Sequence, residues 1–274
     1  MPPRSRRRLA VLLCVALPLP ASAACGDDDG GRGGGGGGAG SPGAAASDLD
    51  GSITVFAAAS LTDAFGEIAT GFEDANPGVS VELNFGASSS LREQILAGAP
   101  ADVFASANIP NIDQVVEAGE AAGDPQVFAR NRLEIVVPAG NPADVTDLAD
   151  FADDELLIGL CAEEVPCGEF GRQALANAGI RSPAIDTNEA DVRSLLTKVQ
   201  SGDLDAGIVY RTDVLAAGDA VEGIEIPTED NVMADYPIAA LRASGNPGTA
   251  DAFVAYVLAD VGQDILESHG FGPA

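Results

Sequence analysis

Short apolar runs alternate with segments of helical periodicity from residue 52 onward. The run "SITVFAAAS" predicts a strand, because it is short and apolar and a polar break follows it. The next segment, "LTDAFGEIATGFEDAN", predicts an amphipathic helix. The apolar residues on one side of that helix are Leu61, Phe65, Ile68 and Phe72. "VSVELNFG" and "ADVFASA" predict two more strands, each followed by a helical pattern, and this β-α-β-α-β-α order predicts a parallel sheet covered by helices.

A second set of elements follows in the later part of the chain. Its predicted strands are "RLEIVVPAG", "LLIGLCA", "LDAGIVY" and "YPIAALRA". Its predicted helices are "TDLADFAD", "GEFGRQALANAG", "EADVRSLLTKVQSG" and two near the C-terminus. Two such units predict an α/β fold with two lobes, each a mainly parallel sheet flanked by helices. A ligand cleft is expected between the lobes, because such sheets bind ligands at the carboxyl ends of their strands.

The N-terminus has the pattern of an export signal. Four arginines between residues 4 and 8 precede an apolar run at 9–19 that is too short to span a bilayer. We therefore predict a signal peptide over residues 1–24. The "ASAAC" that ends it resembles a bacterial lipoprotein signal, which predicts lipid attachment to Cys25. Ser22 stands where such signals usually carry Leu, Val or Ile, so ordinary secretion with a nearby cleavage is the alternative.

Residues 25–50 are rich in glycine, which predicts a flexible tether with a reach of roughly 25–30 Å. A lipid anchor, a tether and a folded domain together predict a protein held at the outer face of the cell membrane. The net charge of −28 argues against a nucleic-acid partner. A monomer is expected, since a cleft receptor needs no second copy.

Two cysteines remain for the folded domain, Cys161 and Cys167 in "CAEEVPCG". Cys14 lies in the predicted signal peptide. A metal site is disfavoured because no histidine is near, and a redox pair is disfavoured because the C-x-x-C spacing is missing. In an exported protein the pattern favours a structural disulfide between Cys161 and Cys167.

Serines follow two of the predicted strands. Ser60 opens "SLTD", with Asp63 three residues later, and Ser88 begins "SSSLRE", where Glu93 lies three residues after Ser90. Both junctions resemble capping boxes. A serine hydroxyl beside the free N–H groups of a helix start can also bind an anion. Plain capping is the usual role of such a serine, but two of them at one edge of a sheet favour a binding site.

The inventory of reactive residues disfavours an enzyme. The chain has a single histidine, His269, and a single lysine, Lys198. A serine nucleophile would lack a base, and the G-x-S-x-G, S-x-x-K and P-loop patterns are missing. No spacing of histidines or carboxylates predicts a metal site. We expect His269 at the surface or packed near the C-terminus.

Several segments together resemble one family. "ITVFAAASLTDAF", "NFGASSSLREQILAGAPADVFASA", "VPCG", "ADVRSLLTKVQSGDLDAGIVY" and "YPIA" are similar, in this order and spacing, to the molybdate-binding proteins of bacterial ABC importers. The resemblance covers nearly all of residues 52–271. It implies the two-lobe type II periplasmic-binding fold, with molybdate or tungstate held between the lobes and no cofactor. An ABC permease and its ATPase are the implied partners.

The resemblance implies that the chain passes from lobe 1 to lobe 2 and then back to lobe 1. Residues 51–132 and 237–274 are predicted to form lobe 1, and residues 133–236 to form lobe 2.

The resemblance also implies which residues bind the oxyanion: Ser60, Ser88, Cys167, Val192 and Tyr210. The serines would offer hydroxyl and backbone N–H donors, and the tyrosine its phenol. Cys167 and Val192 would offer backbone N–H groups. Cys167 departs from the alanine that is common in the family, but a backbone donor survives that change.

The charged residues near these motifs are expected to stay out of the site. Arg92, Arg193 and Arg211 are predicted to lie at the surface or to pair between lobes, with direct contact to the anion as the alternative. Glu189 and Asp191 are predicted to face solvent, because a carboxylate facing an oxyanion repels it.

Three other functions stay open at this point. A receptor for another tetrahedral oxyanion, such as sulfate or phosphate, would need the same donors. An exported serine hydrolase would use Ser60 or Ser88. A purely structural surface lipoprotein would bind nothing.

Overall fold

The computed structural model describes residues 49–274. The predicted signal peptide (1–24), Cys25 and all but the last two residues of the predicted tether (25–50) lie outside the described residues.

The described residues form strands and helices in alternation. The strands are β1 (Gly51–Ala58), β2 (Val79–Gly86), β3 (Val103–Ala105), β4 (Gln126–Pro138), β5 (Ile158–Cys161), β6 (Thr187–Glu189), β7 (Ala206–Tyr210), β8 (Val221–Glu225) and β9 (Met233–Ala240). The helices are α1 (Thr62–Ala75), α2 (Ser88–Leu96), α3 (Ile109–Glu117), α4 (Pro166–Asn177), α5 (Val192–Gln200), α6 (Arg211–Ala217), α7 (Pro247–Leu258) and α8 (Asp260–Ser268). Short 3₁₀ turns lie at Ala59–Leu61, Leu148–Ala152 and Gly218–Ala220.

One long strand connects two halves of the sheet, whose strand order is β2-β1-β3-β9-β4-β7-β5-β6 with β8 also paired to β4. The first half contains β1, β2, β3 and β9, and the second half contains β5, β6, β7 and β8. The N-terminal part of β4 pairs with β9, and its C-terminal part pairs with β7 and β8. The lobe boundaries predicted at 132/133 and 236/237 fall inside β4 and β9.

Strand direction changes across the sheet. β1 runs parallel to β2 and β3, and β5 runs parallel to β6 and β7. The antiparallel pairs are those that involve β4 or β9. The parallel pairs therefore occupy the two flanks, where the crossover helices of each half begin at the carboxyl ends of the strands.

The predicted apolar face of α1 forms part of the core. Phe65, Ile68 and Phe72 are all buried on this helix. The ring of Phe65 lies 5.7 Å from that of Phe128 on β4, and the ring of Phe72 lies 5.3 Å from that of Phe253 on α7. These tilted and edge-on contacts are favourable arrangements for aromatic pairs. They fix α1, and with it the turn that precedes α1, against the sheet.

Several elements differ from the sequence prediction. β4 begins six residues before its predicted start at Arg132, and a register shift between Val127 and Ala129 interrupts the alternation there. Residue Glu189, predicted to open a helix, ends the three-residue strand β6. α6 and β8 were not predicted either. Elements of three to seven residues contain too few periods for an apolar pattern to reveal them.

His269 lies near the C-terminus, as predicted, with its Nε2 atom 2.9 Å from the Glu67 carboxylate on α1. Among the helices of residues 49–274, none has the length and apolar character needed to cross a bilayer.

Candidate functional site

A small cavity lies where strand ends and helix starts from both halves of the sheet meet. Its first wall consists of Ala58, Ala59, Ser60, Gly86, Ala87, Ser88 and Ala107. Its second wall consists of Val165, Pro166, Cys167, Asp191, Val192 and Tyr210. The cavity volume is about 20 Å³, which is room for one or two water molecules or one small ion. The structure thus brings all five residues of the predicted oxyanion site into the lining of one cavity.

Ser60 lies in the 3₁₀ turn between β1 and α1, where it is buried. Its hydroxyl lies 2.8 Å from the hydroxyl of Tyr236 on β9. The predicted capping box with Asp63 is wrong, because α1 begins at Thr62 and no side chain caps it. Ser60 is therefore free of a capping role, and Tyr236 holds its side chain at the cavity.

Ser88 is the first residue of α2, and it is also buried. Its Oγ atom accepts a hydrogen bond of 2.9 Å from the backbone N–H of Ala107. The second predicted capping box is wrong as well, since no side chain caps α2 and the Glu93 carboxylate pairs with Arg92 at 3.0 Å. The Ser88 hydroxyl keeps its own proton for a further hydrogen bond.

Cys167 is the second residue of α4, which begins at Pro166 rather than near Gly168 as predicted. Amide groups in the first turn of a helix have no acceptor within the helix. Cys167 is bonded to Cys161 at the end of β5, with a Cα–Cα distance of 5.8 Å. The bond ties the strand end to the helix start that carries the amide.

The fold requires a glycine at position 168, and the sequence analysis did not recognise this requirement. A β-carbon at this residue would overlap the carbonyl group of Ala162. Only glycine therefore allows α4 to start so close to the end of β5. The sequence signal for this requirement is the glycine of "VPCG". A glycine directly after a predicted backbone donor indicates that another segment of the backbone lies too close for a side chain.

Val192 is the first residue of α5. Asp191 caps this helix, since its Oδ1 atom accepts a 2.8 Å hydrogen bond from the backbone N–H of Ser194. The prediction that Asp191 faces solvent is wrong: it is partly buried and lies in the second wall. Its negative charge is partly offset there by the positive end of α5.

Glu189 does not face solvent either. It is buried, and its Oε1 atom lies 2.6 Å from the ammonium group of Lys198 and 2.6 Å from the hydroxyl of Thr187. Burial disfavours the charged form, but the hydrogen bonds from Lys198 and Thr187 outweigh it and hold the pKa of Glu189 below its usual range. The carboxylate is therefore neutralised by its own partners and does not line the cavity.

Tyr210 ends β7 and is 1% exposed. Within residues 49–274 its hydroxyl is one of the few buried side-chain atoms with no hydrogen-bond partner. Burial is the main cause that raises the pKa of Tyr210 well above its ordinary value. The neighbouring Tyr236, Asp213 and Glu169 raise it further. The phenol is thus a protonated donor that lines the cavity, and a buried donor of this kind is costly unless a ligand or a water molecule accepts from it.

Tyr236 is a second residue that the sequence analysis did not assign. Its ring lies 5.9 Å from that of Tyr210, and its hydroxyl bonds Ser60. It lies in the "YPIA" segment, which contributes to the resemblance without indicating a role for the tyrosine. Tyr236 orients one donor and packs against another.

The lining is almost free of charge. Asp191 is its one charged residue, and the donors are hydroxyls and first-turn amides. The starts of α2, α4 and α5 all reach the cavity, so the positive ends of three helices converge on it. This arrangement suits a small anion, because many neutral donors can solvate its charge.

The three arginines stay outside this lining, as predicted. Arg92 bonds the side chain of Asn111 at 2.8 Å, and Arg211 lies 3.9 Å from Glu134. Arg193 pairs with the carboxylates of Asp63 and Asp213.

The part of the chain that the structure describes holds no group of three or more His, Cys, Asp or Glu side chains that could bind a metal. Neither Ser60 nor Ser88 is hydrogen-bonded to a base there: their partners are Tyr236 and Ala107.

Comparison with known proteins gives the family. Residues 53–272 match the family described as bacterial extracellular solute-binding protein. The molybdate-binding protein ModA of Mycobacterium tuberculosis is 41% identical over 220 residues, which are 80% of this chain and 84% of that protein.

Two solved structures extend the comparison. The substrate-binding domain of a putative molybdenum ABC transporter from Clostridium difficile is 28% identical, with a TM-score of 0.62 over 81% of this chain and 99% of that one. The sulfate-binding protein SubI of Mycobacterium tuberculosis has a TM-score of 0.73 at 20% identity, over 81% of this chain and 87% of that one, and this shows the fold alone. The chain has the type II periplasmic-binding fold and belongs to the bacterial extracellular solute-binding proteins, a family of transport receptors rather than enzymes.

Proposed function

We propose that this protein binds molybdate, and also tungstate, and delivers it to the permease and ATPase of an ABC importer. The observation that carries the proposal is the buried, unpartnered Tyr210 hydroxyl in a cavity lined by the four other predicted donor residues. The identity of 41% to a protein named as molybdate-binding supports the choice of ligand.

The chemistry of the cavity suits a tetrahedral dianion. Such an ion presents four oxygens that accept hydrogen bonds and, when fully ionised, has no proton to donate. Ser60, Ser88 and Tyr210 would supply hydroxyls, and the first-turn amides of α4 and α5 would supply N–H groups. Neutral donors of fixed position set the cavity size, so we infer that discrimination between oxyanions rests on fit rather than on charge.

A second candidate ligand is sulfate. The similarity of fold to a sulfate-binding protein favours it, because a cleft of this architecture can take either oxyanion. Sulfate is smaller than molybdate or tungstate, and the donor set would accept hydrogen-bonding oxygens from any of them. We regard the larger oxyanions as the ligands because the 41% identical relative is named as molybdate-binding.

The Cys161–Cys167 bond has a proposed role in binding as well as in stability. It joins the end of β5 to the first turn of α4 and so fixes the Cys167 amide before a ligand arrives. A preorganised donor lowers the ordering cost of binding.

We further propose that the protein is exported and anchored by lipid at Cys25, with the glycine-rich segment as a tether. Support comes from the "ASAAC" motif after an arginine-rich start and a short apolar run. A tether of roughly 25–30 Å would let the receptor reach a permease in the same membrane.

The ligand is tested by calorimetric titration of the purified protein with molybdate, tungstate, sulfate and phosphate. Molybdate and tungstate are expected to bind one per chain and to compete with each other, because they have the same shape and charge. Sulfate is expected to bind about 100-fold more weakly or not at all. Micromolar sulfate binding without a molybdate signal would overturn the choice of ligand, and labelling by a fluorophosphonate would revive a serine hydrolase.

The site is tested by Tyr210→Phe, which removes the unpartnered hydroxyl alone. Loss of one hydrogen bond to a charged ligand corresponds to about 1.5–3 kcal/mol, so molybdate affinity should fall about 10- to 100-fold. The matched control is Tyr256→Phe, because Tyr256 lies on α7 away from the cavity. Equal molybdate affinity in Tyr210→Phe and Tyr256→Phe would show that the Tyr210 hydroxyl does not bind the ligand.

The disulfide is tested by Cys161→Ser together with the double variant Cys161→Ser, Cys167→Ala, which leaves no cysteine within residues 49–274. Both are expected to be less stable by about 2–2.5 kcal/mol, the chain-entropy contribution of so short a loop. Both should also bind molybdate a few-fold more weakly. Thermal melts and titrations measure the two effects separately, and unchanged affinity would limit the bond to stabilising the fold.

The anchor is tested by Cys25→Ala in cells that export the protein. The unchanged protein is expected in the detergent phase of a phase-partition assay, because an acyl chain favours an apolar environment. The variant should move to the aqueous phase. If both forms are found in the aqueous phase, the protein is secreted without a lipid.

A further inference from the structure

One arginine joins the two walls of the cavity at their edge. The Nε atom of Arg193 donates to the backbone carbonyl of Ala59 at 3.3 Å, and its terminal nitrogen pairs with the carboxylate of Asp63. Ala59 and Asp63 belong to the turn and helix that follow β1 in the first half of the sheet. Arg193 belongs to α5, which packs on β5 and β7 in the second half. A single side chain therefore spans the two walls.

A buried carboxylate on α6, in the second half of the sheet, lies in charge contact with this guanidinium. The Oδ1 atom of Asp213 lies 3.2 Å from Nε of Arg193, and its Oδ2 atom accepts a hydrogen bond of 3.2 Å from the backbone N–H of Tyr210. Asp213 is fully buried. Burial raises the pKa of Asp213 to about 7, and the charge of Arg193 opposes that rise. The same carboxylate thus holds both the arginine and the strand end that carries the Tyr210 phenol.

The contacts between the walls lie directly beside the proposed ligand contacts. Arg193 follows Val192, and Ala59 precedes Ser60, so each wall places one residue toward the other wall and its neighbour toward the cavity. The ligand and the arginine consequently require the same separation of the walls. Two interactions that require one closed arrangement strengthen each other.

An exposed ion pair alone would contribute little, since water screens it and two side chains must be ordered. The pair with Asp63 differs because the same guanidinium also donates to the backbone carbonyl of Ala59 and lies in charge contact with the buried Asp213. The planar fork of arginine can make these contacts together, whereas a lysine ammonium group cannot copy their geometry.

We propose that Arg193 is a positioning residue, a latch that fastens the start of α5 to the turn after β1 and so holds the two walls closed over the ligand. The role of the ligand in this proposal rests on the proposed function. The contacts of the latch favour the closed arrangement of the walls, so their loss is expected to speed release of the ligand more than it changes association.

The kinetic test compares four variants by stopped-flow measurement of molybdate binding and release. Arg193→Gln and Asp63→Asn are each expected to raise the release rate about tenfold, and the double variant should add little to Arg193→Gln alone. Arg193→Lys should fall between the unchanged protein and Arg193→Gln. Asp63→Asn leaves the Arg193–Asp213 pair in place, so it tests the latch even if Arg193→Gln folds poorly.

Arg181→Gln is the matched control, because Arg181 is an exposed arginine of the second half that does not line the cavity. Its release rate is expected to equal that of the unchanged protein. Equal release rates in Asp63→Asn and the control would overturn the latch.

Small-angle X-ray scattering of the ligand-free protein tests the latch without any oxyanion. Asp63→Asn is expected to increase the radius of gyration relative to the unchanged protein and the Arg181→Gln control, because the walls separate more often. If no oxyanion binds at all, the proposed function is wrong, and the radius of gyration still tests the latch by itself. An unchanged radius of gyration in Asp63→Asn would overturn the latch.

Discussion

The rest of this structure depends on the need to satisfy the polar groups that line one small cavity between the two halves of the sheet. The Tyr210 hydroxyl is buried without a partner, and the amides at the starts of α4 and α5 have no acceptor in their own helices. Unsatisfied donors of this kind destabilise a fold unless a ligand accepts from them. A cavity that contains many donors and one carboxylate is therefore arranged for an anion with several acceptor oxygens.

The sheet provides this arrangement by its topology. β1 and β2 end in the first wall, and β5, β6 and β7 lead into the second, so strand ends from both halves point toward one place. β4 is shared by the halves and pairs with β9 on one side and with β7 on the other. Because the halves are connected through this strand, a small change of angle between them would open or close the cavity.

Charge is distributed so that the cavity lining contains a single charged residue, Asp191, in a strongly acidic chain. The net charge is −28, yet the carboxylates near the site are engaged elsewhere: Asp191 caps α5, and Glu189 pairs with Lys198. The few cationic side chains near the cavity act on protein groups, as Arg193 does with Asp63 and Asp213. In the proposed function, binding by neutral dipoles would leave cavity size as the property that distinguishes one tetrahedral oxyanion from another.

The sequence by itself determined the alternation of strands and helices and the two-unit α/β fold, through its apolar periodicity. It also indicated Ser60 and Ser88 at strand ends, whereas Cys167, Val192 and Tyr210 came from the resemblance to a known family. Only the tertiary structure decided what those residues contact. Ser60 bonds Tyr236, which is 176 positions away, instead of capping α1. Glu189 is buried against Lys198, and Arg193 of the second half reaches Asp63 of the first half. Such partners are set by packing between segments that are far apart in the sequence, so the spacing of residues along the chain does not predict them.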